Sequence, residues 1–435
     1  MRKVLMIAYH FPPLTTSGTY RSLQFARYLP GHGWGAVVLT VRAETLRAPG
    51  ILDREPLAAL PADTRVVRTR AIEPLDLVLR ARDRLRGRPS KGNAGVPTNG
   101  GGEERTGGWR DWVSDLLTVP DRQVGWIPSA LSAALRIIDE EDVSAIYSSS
   151  PPASGHVAAL LAARLTGCPW IVDFRDPWTS SRFAPDRSLS LVRPLDRFLE
   201  AAVLSNAARV VATTDEMRAD FAARFPECAG KLVTITNGYD PEEALPPLDR
   251  PAVDRPFTIT HAGTLYGPRD PSPLLRAVGA LLERGAISPD RLRVLFVGST
   301  SGGMPWRGLL ESPLLASVVR FEPKVSRGEA LRRLAASDLL LVVQAGTDLQ
   351  VPRKLYEYMA LGKPILALVT GGATETVVRE ERAGRIVRPD DPEGIETALL
   401  EALRGEGLSR PERPERFDFR RLSGALAEVL EEAVP

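Results

Sequence analysis

The chain has 435 residues, 43% hydrophobic and 25% charged, with a formal net charge of +2. Such a length accommodates two ordinary domains, and the composition is that of a soluble globular protein. The balanced charge, with no basic stripe carrying aromatics, argues against a nucleic-acid partner, and two distant cysteines, Cys168 and Cys228, with four scattered histidines offer no zinc spacing and suit a reducing compartment.

The first apolar run, KVLMIAY (3–9), is too short for a secretory leader and is ended by His10 and two prolines, so it is expected to be a buried strand. No stretch approaches the roughly 20 apolar residues of a membrane span. AVVLT (36–40), AIYSS (145–149), WIVDF (170–174) and RVVATT (209–214) read as further buried parallel strands, with helices predicted over 18–29, 129–140, 154–166 and 191–204. Between the second and third of these strands lies RGRPSKGNAGVPTNGGGEERTGG (86–108), read as a disordered loop. The arginine-rich LDLVLRARDRLRGR (75–88) before it is either a membrane-surface helix or a solvated one. NGYDPEEALPPLDRPAVDRP (237–256), rich in proline and acid, reads as a linker.

The rhythm then restarts. FTITHAG (257–263), RVLFVGS (293–299), SVVRF (317–321), DLLLVV (338–343), PILAL (364–368) and GRIVR (384–388) alternate with helices predicted over 271–284, 326–336, 352–361 and 391–404. Two successive series of this kind imply an α/β protein of two Rossmann-like, doubly wound domains facing across a cleft. The first is placed at 1–240, the linker at 241–256 and the second domain at 257–415. The tail 416–435, amphipathic over 418–433, could pack on either domain.

Chemistry concentrates in VPRKLYEYMALGKPI (351–365). Pro352 marks a helix start, where backbone N–H groups and the positive dipole end favour an anion. Lys354 would add a mobile charge for phosphate oxygens, and Glu357, one turn on, could accept two hydrogen bonds from vicinal hydroxyls such as those of a ribose. The plainer alternative is an exposed ion pair between Lys354 and Glu357. Gly371 and Gly372 follow a strand and would let the backbone approach a ligand, as would Gly263, beyond which Arg269 can grip a diphosphate. Gly18 opens the first helix, without the spacing of a dinucleotide fingerprint. In VDFRDPW (172–178), Asp173, Arg175 and Asp176 follow a strand and either bind sugar hydroxyls or form an internal Arg–Asp network. His156, after SSSPPASG, either meets the acceptor or simply starts a helix.

These stretches in this order, with TITNGYDPEE (234–243), HAGTLYGPRDP (261–271) and GGATETVV (371–378), resemble the GT-B glycosyltransferases of retaining family 4, in the branch that builds bacterial surface polysaccharides and other glycoconjugates. The resemblance implies a transferase moving a sugar from a nucleotide-diphosphate sugar, held by the second domain, to a hydroxyl of a glycan, lipid-linked or small-molecule acceptor held by the first. It puts Glu357 on the ribose. Gly18, Gly263, Arg269, Lys354, Leu355, Gly371 and Gly372 fall at the donor, Gly18 reaching the phosphates from across the cleft. Arg269, Lys354, Arg175 and Asp176 assist the chemistry, and His156 and Asp173 meet the acceptor. It implies a front-face reaction with retention, in which the leaving diphosphate takes the acceptor proton, with no cofactor and no metal. A cytoplasmic location is expected, with peripheral contact at the inner membrane surface open. Leu349 departs from the family's frequent glutamate eight positions before Glu357, Asp348 being adjacent, and one basic group of a usual pair is absent near Arg269. Two other readings remain: a sugar-nucleotide epimerase of the same architecture, and a non-catalytic binding subunit.

Overall fold

A computed structural model describes residues 1–16, 18–46, 52–72, 74, 109–181, 192–243, 255–267, 269–300, 305–412 and 414–434. The segment 75–108, with the expected basic helix and loop, lies outside them, as does most of the expected linker. The described chain forms two compact units, Met1–Thr236 with Phe419–Pro435, and Asn237–Asp418.

In the first unit, β1 (Arg2–Ile7), β2 (Trp34–Val41), β3 (Arg65–Thr69), β4 (Val143–Ser150), β5 (Trp170–Phe174), β6 (Arg209–Ala212) and β7 (Leu232–Thr234) form one sheet. Its order is β3-β2-β1-β4-β5-β6-β7, and every pairing is parallel. All five residues of β5 are buried, as a strand covered on both faces requires. The edge strand β3 escapes sequence reading because it is short, carries two arginines and is nowhere fully buried. The helices here are α1 (Thr19–Tyr28), α2 (Trp109–Leu117), α3 (Ile127–Glu141), α4 (Ser154–Thr166), α5 (Val192–Asn206) and α6 (Asp215–Arg224).

The second unit repeats the plan. β8 (Phe257–Ala262), β9 (Leu292–Val297), β10 (Val319–Glu322), β11 (Leu339–Gln344), β12 (Ile365–Val369) and β13 (Gly384–Val387) make a parallel sheet of order β10-β9-β8-β11-β12-β13. Its helices are α7 (Ser272–Glu283), α8 (Pro313–Val318), α9 (Arg327–Ala335), α10 (Arg353–Ala360), α11 (Gly372–Glu380) and α12 (Pro392–Leu403). One predicted strand is corrected: in SVVRF, Ser317 and Val318 end α8, and the strand begins at Val319. Leu315 and Val318 are buried at helical spacing, and so short an apolar run cannot reveal its own period.

The last helix, α13 (Phe419–Ala433), belongs to the first unit. Phe419, Leu422, Leu426 and Leu430 join a buried cluster with Phe25, Leu29 and Trp34. Polar contacts pin it in place: Trp34 Nε1 donates to Glu431 Oε1 at 2.8 Å, and His32 Nε2 lies 2.9 Å from the Arg420 carbonyl oxygen.

Candidate active site

Each sheet reverses its strand order once, between β1 and β4 in the first unit and between β8 and β11 in the second. In open α/β sheets, ligands bind beyond the carboxyl ends of the strands at such a reversal. The predicted residues lie at or beyond the carboxyl ends of β1, β4 and β5 in the first unit and of β8, β11 and β12 in the second.

In the second unit β8 ends with His261 and Ala262, followed by Gly263 and Arg269; β11 ends at Gln344 and leads into α10. Leu355, Tyr356 and Met359 on α10 are buried in the apolar core between helices and sheet. Leu355 is fully buried there, its side chain packed into the core. Lys354 and Tyr358 face the end of β8 instead. The Tyr358 hydroxyl accepts from the Ala262 N–H at 2.9 Å, and Lys354 Nζ lies 3.0 Å from His261 Nε2. Gly263 has a φ of +134°, which residues with side chains rarely adopt, and a Cβ there would lie 2.6 Å from Lys354 Nζ, so the lysine end would have to shift. Arg269 Nε donates to Gln344 Oε1 at 2.9 Å, and its guanidinium lies over the Tyr266 ring, 4.9 Å from the centroid.

Burial first, and then the charge of Arg269, push the Lys354 amine well below the ordinary lysine range; Glu357 opposes this. A desolvated amine beside a second cation, with no ion-pair partner among the described residues, favours an anionic ligand.

Glu357 does not pair with Lys354 as an exposed surface couple. Its carboxylate is largely buried and ion-paired with Arg327 and Arg353, each at 2.9 Å through Oε1. Arg327 is held in turn by Glu243. Burial works against ionisation of Glu357, but Arg327, Arg353 and Lys354 outweigh it and hold the carboxyl below its usual range. An ionised carboxylate only accepts hydrogen bonds, which suits hydroxyl donors. Gly372, after β12, has a φ of +75°, and a Cβ there would lie 2.4 Å from the Asp348 Cα. Gly371 precedes it with open space above its Cα.

In the first unit Gly18 lies against Arg175 and His10: a Cβ at Gly18 would sit 2.8 Å from Arg175 Nη2 and 2.9 Å from His10 Cδ2. Arg175 is buried and donates to the Pro151 carbonyl at 3.0 Å, while Asp176 is half-buried at the end of β5. Asp173 is not open to an acceptor. It is fully buried, takes Arg21 Nη2 at 2.8 Å and Nε at 2.9 Å, and accepts from the Tyr147 hydroxyl at 2.6 Å and Ser149 at 3.0 Å. His156 is closed off too: it is fully buried, with Nδ1 2.8 Å from Ser148 Oγ and its ring against Phe174. Burial pushes its imidazole down to about 3, so it is neutral across the ordinary range.

Two domain families match this chain. Residues 96–243 match Glycosyltransferase Family 4 and residues 256–405 match Glycosyl transferases group 1. The chain belongs to the family-4-like glycosyltransferases of the GT-B fold. Among this family member's curated relatives, the D-inositol 3-phosphate glycosyltransferase of Saccharomonospora viridis is 31% identical over 254 residues, 54% of this chain and 58% of that protein. The D-inositol 3-phosphate glycosyltransferase 2 of Catenulispora acidiphila is 27% identical over 256 residues, again 54% and 58%. The chain thus spans less than two thirds of the length of these relatives. In three dimensions it resembles a glycosyltransferase from Rickettsia africae, with a TM-score of 0.59 at 15% identity, covering 100% of this chain and 94% of the other. It also resembles Anabaena HepE in complex with UDP and glucose, with a TM-score of 0.58 at 15% identity, covering 99% and 100%. At that identity the likeness speaks to the fold.

Sequence reading did not single out several residues that hold the nominated ones in place: His261, Gln344, Arg327 and Arg353 in the second unit, and, separately, Arg21 and Tyr147 beside Asp173 in the first. A buried polar residue closing an apolar strand, as in FTITH and DLLLVVQ, was the available signal for His261 and Gln344. Nothing local announced Arg21, whose partner Asp173 is 152 residues away.

Proposed function

We propose that this protein transfers a sugar from a nucleoside-diphosphate sugar to a hydroxyl acceptor. The observation that carries this reading is the arrangement at the ends of β8 and β11: two cations, Arg269 and Lys354, beside an ionised carboxylate, Glu357, over a turn stripped of side chain at Gly263. The cations suit a diphosphate and the carboxylate suits a ribose diol. Family membership supports the same assignment, and the UDP and glucose named with Anabaena HepE are of this ligand class.

In this reading the protein works by electrostatics and positioning. Negative charge grows on the diphosphate as the glycosidic bond breaks, and Arg269 and Lys354 stand ready to stabilise it in a partly desolvated site. The acceptor hydroxyl oxygen bonds to the anomeric carbon from the face the diphosphate leaves, giving retention, and the departing phosphate oxygen takes the hydroxyl proton; the family resemblance supports that step. Asp176 and Arg175, at the end of β5, are assigned to the first unit's share of substrate contact.

The test is thermal stabilisation by UDP, GDP, ADP and their sugar conjugates, wild type beside Glu357→Ala. A ligand that binds only the folded protein raises Tm by mass action. One nucleotide should raise Tm, and the variant should lose most of that shift. Absence of any shift in wild type would overturn the reading. Product analysis then separates classes: transfer requires an acceptor, whereas a rearranged sugar nucleotide formed without one would indicate an epimerase.

A further inference from the structure

His261 is a buried histidine that the reading above does not use. Its Nδ1 lies 2.9 Å from the Leu341 carbonyl oxygen, and its Nε2 lies 3.0 Å from Lys354 Nζ. A carbonyl can only accept, so the ring proton sits on Nδ1 and Nε2 carries a lone pair. An amine nitrogen facing that lone pair donates to it. The tautomer, and with it the direction of both bonds, follows from one backbone contact. The strand pairing explains why this contact exists. β11 and β8 are paired at Leu339↔Ile259 and Leu340↔Thr260, and at the next residue the His261 side chain takes the Leu341 carbonyl.

We propose that His261 is a positioning residue for the donor diphosphate, holding Lys354 Nζ in the space left by Gly263 through its Nε2 lone pair. This rests on the reading of Lys354 as a diphosphate ligand. The choice of residue has a physical reason. A carboxylate at 261 would also fix the amine but would cancel its charge and compete with phosphate oxygens. A neutral imidazole fixes direction and leaves the charge for the ligand. The groups that bear on this pair are Arg269, from the loop after β8, and Glu357, one turn along α10. Burial and the two neighbouring cations hold the imidazole well below the usual histidine range, so it stays neutral and keeps that lone pair.

Two substitutions separate positioning from mere packing. His261→Asn keeps a donor near the Nδ1 position for the Leu341 carbonyl and loses the acceptor for Lys354. His261→Gln places its amide oxygen near the Nε2 position and keeps that acceptor. UDP, GDP and ADP are titrated calorimetrically into wild type, both variants and Lys354→Met, with Tm recorded for each. The expected result is that His261→Asn and Lys354→Met each weaken binding by about tenfold or more, while His261→Gln stays within about threefold of wild type. If His261→Asn binds like wild type while Lys354→Met is weakened, the positioning role is overturned and the donor site stands. Equal weakening in the Asn and Gln variants, with lowered Tm in both, would likewise overturn it in favour of a packing role. If Lys354→Met binds like wild type, Lys354 is not a diphosphate ligand and the positioning role falls with it.

A ligand-free measurement tests the geometry even if wild type binds none of the three. In 15N spectra of the four histidine rings, His261 should carry its proton on Nδ1, and its Nε2 resonance should move in Lys354→Met. An Nε2-protonated ring, or an Nε2 resonance indifferent to Lys354, would overturn the proposal independently of nucleotide binding.

Discussion

Removing one charge from the Arg21–Asp173 pair leaves the other buried without compensation. Both side chains are almost wholly out of solvent, and Arg21 also donates to the Ile235 and Thr236 carbonyls at 2.8 and 2.6 Å. Breaking such a pair typically costs about 3–5 kcal/mol. Asp173→Asn should therefore lower Tm by several degrees at neutral pH. The pH dependence has a definite sign. Burial opposes ionisation of Asp173, but the Arg21 charge and the hydrogen bonds from Arg21, Tyr147 and Ser149 outweigh it, leaving the carboxyl below its usual range. A depressed carboxyl stabilises the fold above the unfolded value, about pH 4, and that contribution is lost as pH falls through the lower folded value. The Tm gap between wild type and variant should be full at pH 7 and narrow below about pH 4. A gap constant with pH would show that the ion pair is not its source. The sequence could nominate Asp173 by its place at a strand end, but it could not say whether the carboxylate faced a ligand or an arginine. That depended on α1 and β5 packing together.

At the scale of elements, α10 shows how one short helix divides its duties. Leu355, Tyr356 and Met359 anchor it in the core, Lys354 and Tyr358 meet the end of β8, and Glu357 meets Arg327 from α9. The helix itself was legible: Pro352 at its start, an apolar face and a Gly-Lys-Pro stop sufficed, and the observed span is Arg353–Ala360. Its electrostatic state was not, because the depression of Lys354 arises from burial and from Arg269 on another element. That state has a measurable consequence. A diphosphate beside Lys354 draws its pKa back up, so binding takes up protons, and affinity falls as pH rises through the interval between the free and bound values. Calorimetry repeated from about pH 8 upward, above the last ionisation of the phosphate, in buffers of different ionisation enthalpy should show net proton uptake within that interval. Buffer-independent heats would mean that Lys354 keeps its proton throughout. Gly263→Ala probes the same spot sterically: its Cβ would displace Lys354 Nζ, and diphosphate binding should weaken more than Tm falls.

At the scale of the molecule, the first unit is closed by a helix that the chain reaches only after building the second. Phe419, Leu422, Leu426 and Leu430 cover Phe25, Leu29 and Trp34. Fully burying a leucine contributes about 1.5–3 kcal/mol. Truncation after Asp418 should accordingly destabilise the first unit selectively, seen as protease cleavage concentrated within residues 1–236 while 257–405 remains protected. Uniform cleavage of both would contradict the assignment of this helix to one unit.

What the sequence by itself determined was the repeating α/β plan. Buried parallel strands must be continuous apolar runs, and helices between them must carry an apolar stripe; both patterns are written locally, within a few residues. The nomination of Arg269, Lys354 and Glu357 was local too, resting on residues just beyond strand ends. The tertiary structure decided how each buried polar group is satisfied. It gave Asp173 to Arg21, His261 to Lys354, Glu357 to Arg327 and Arg353, and the last helix to the first unit. Desolvating a charge or a polar atom requires a partner, and the partner is whichever group the packing of distant elements brings within reach.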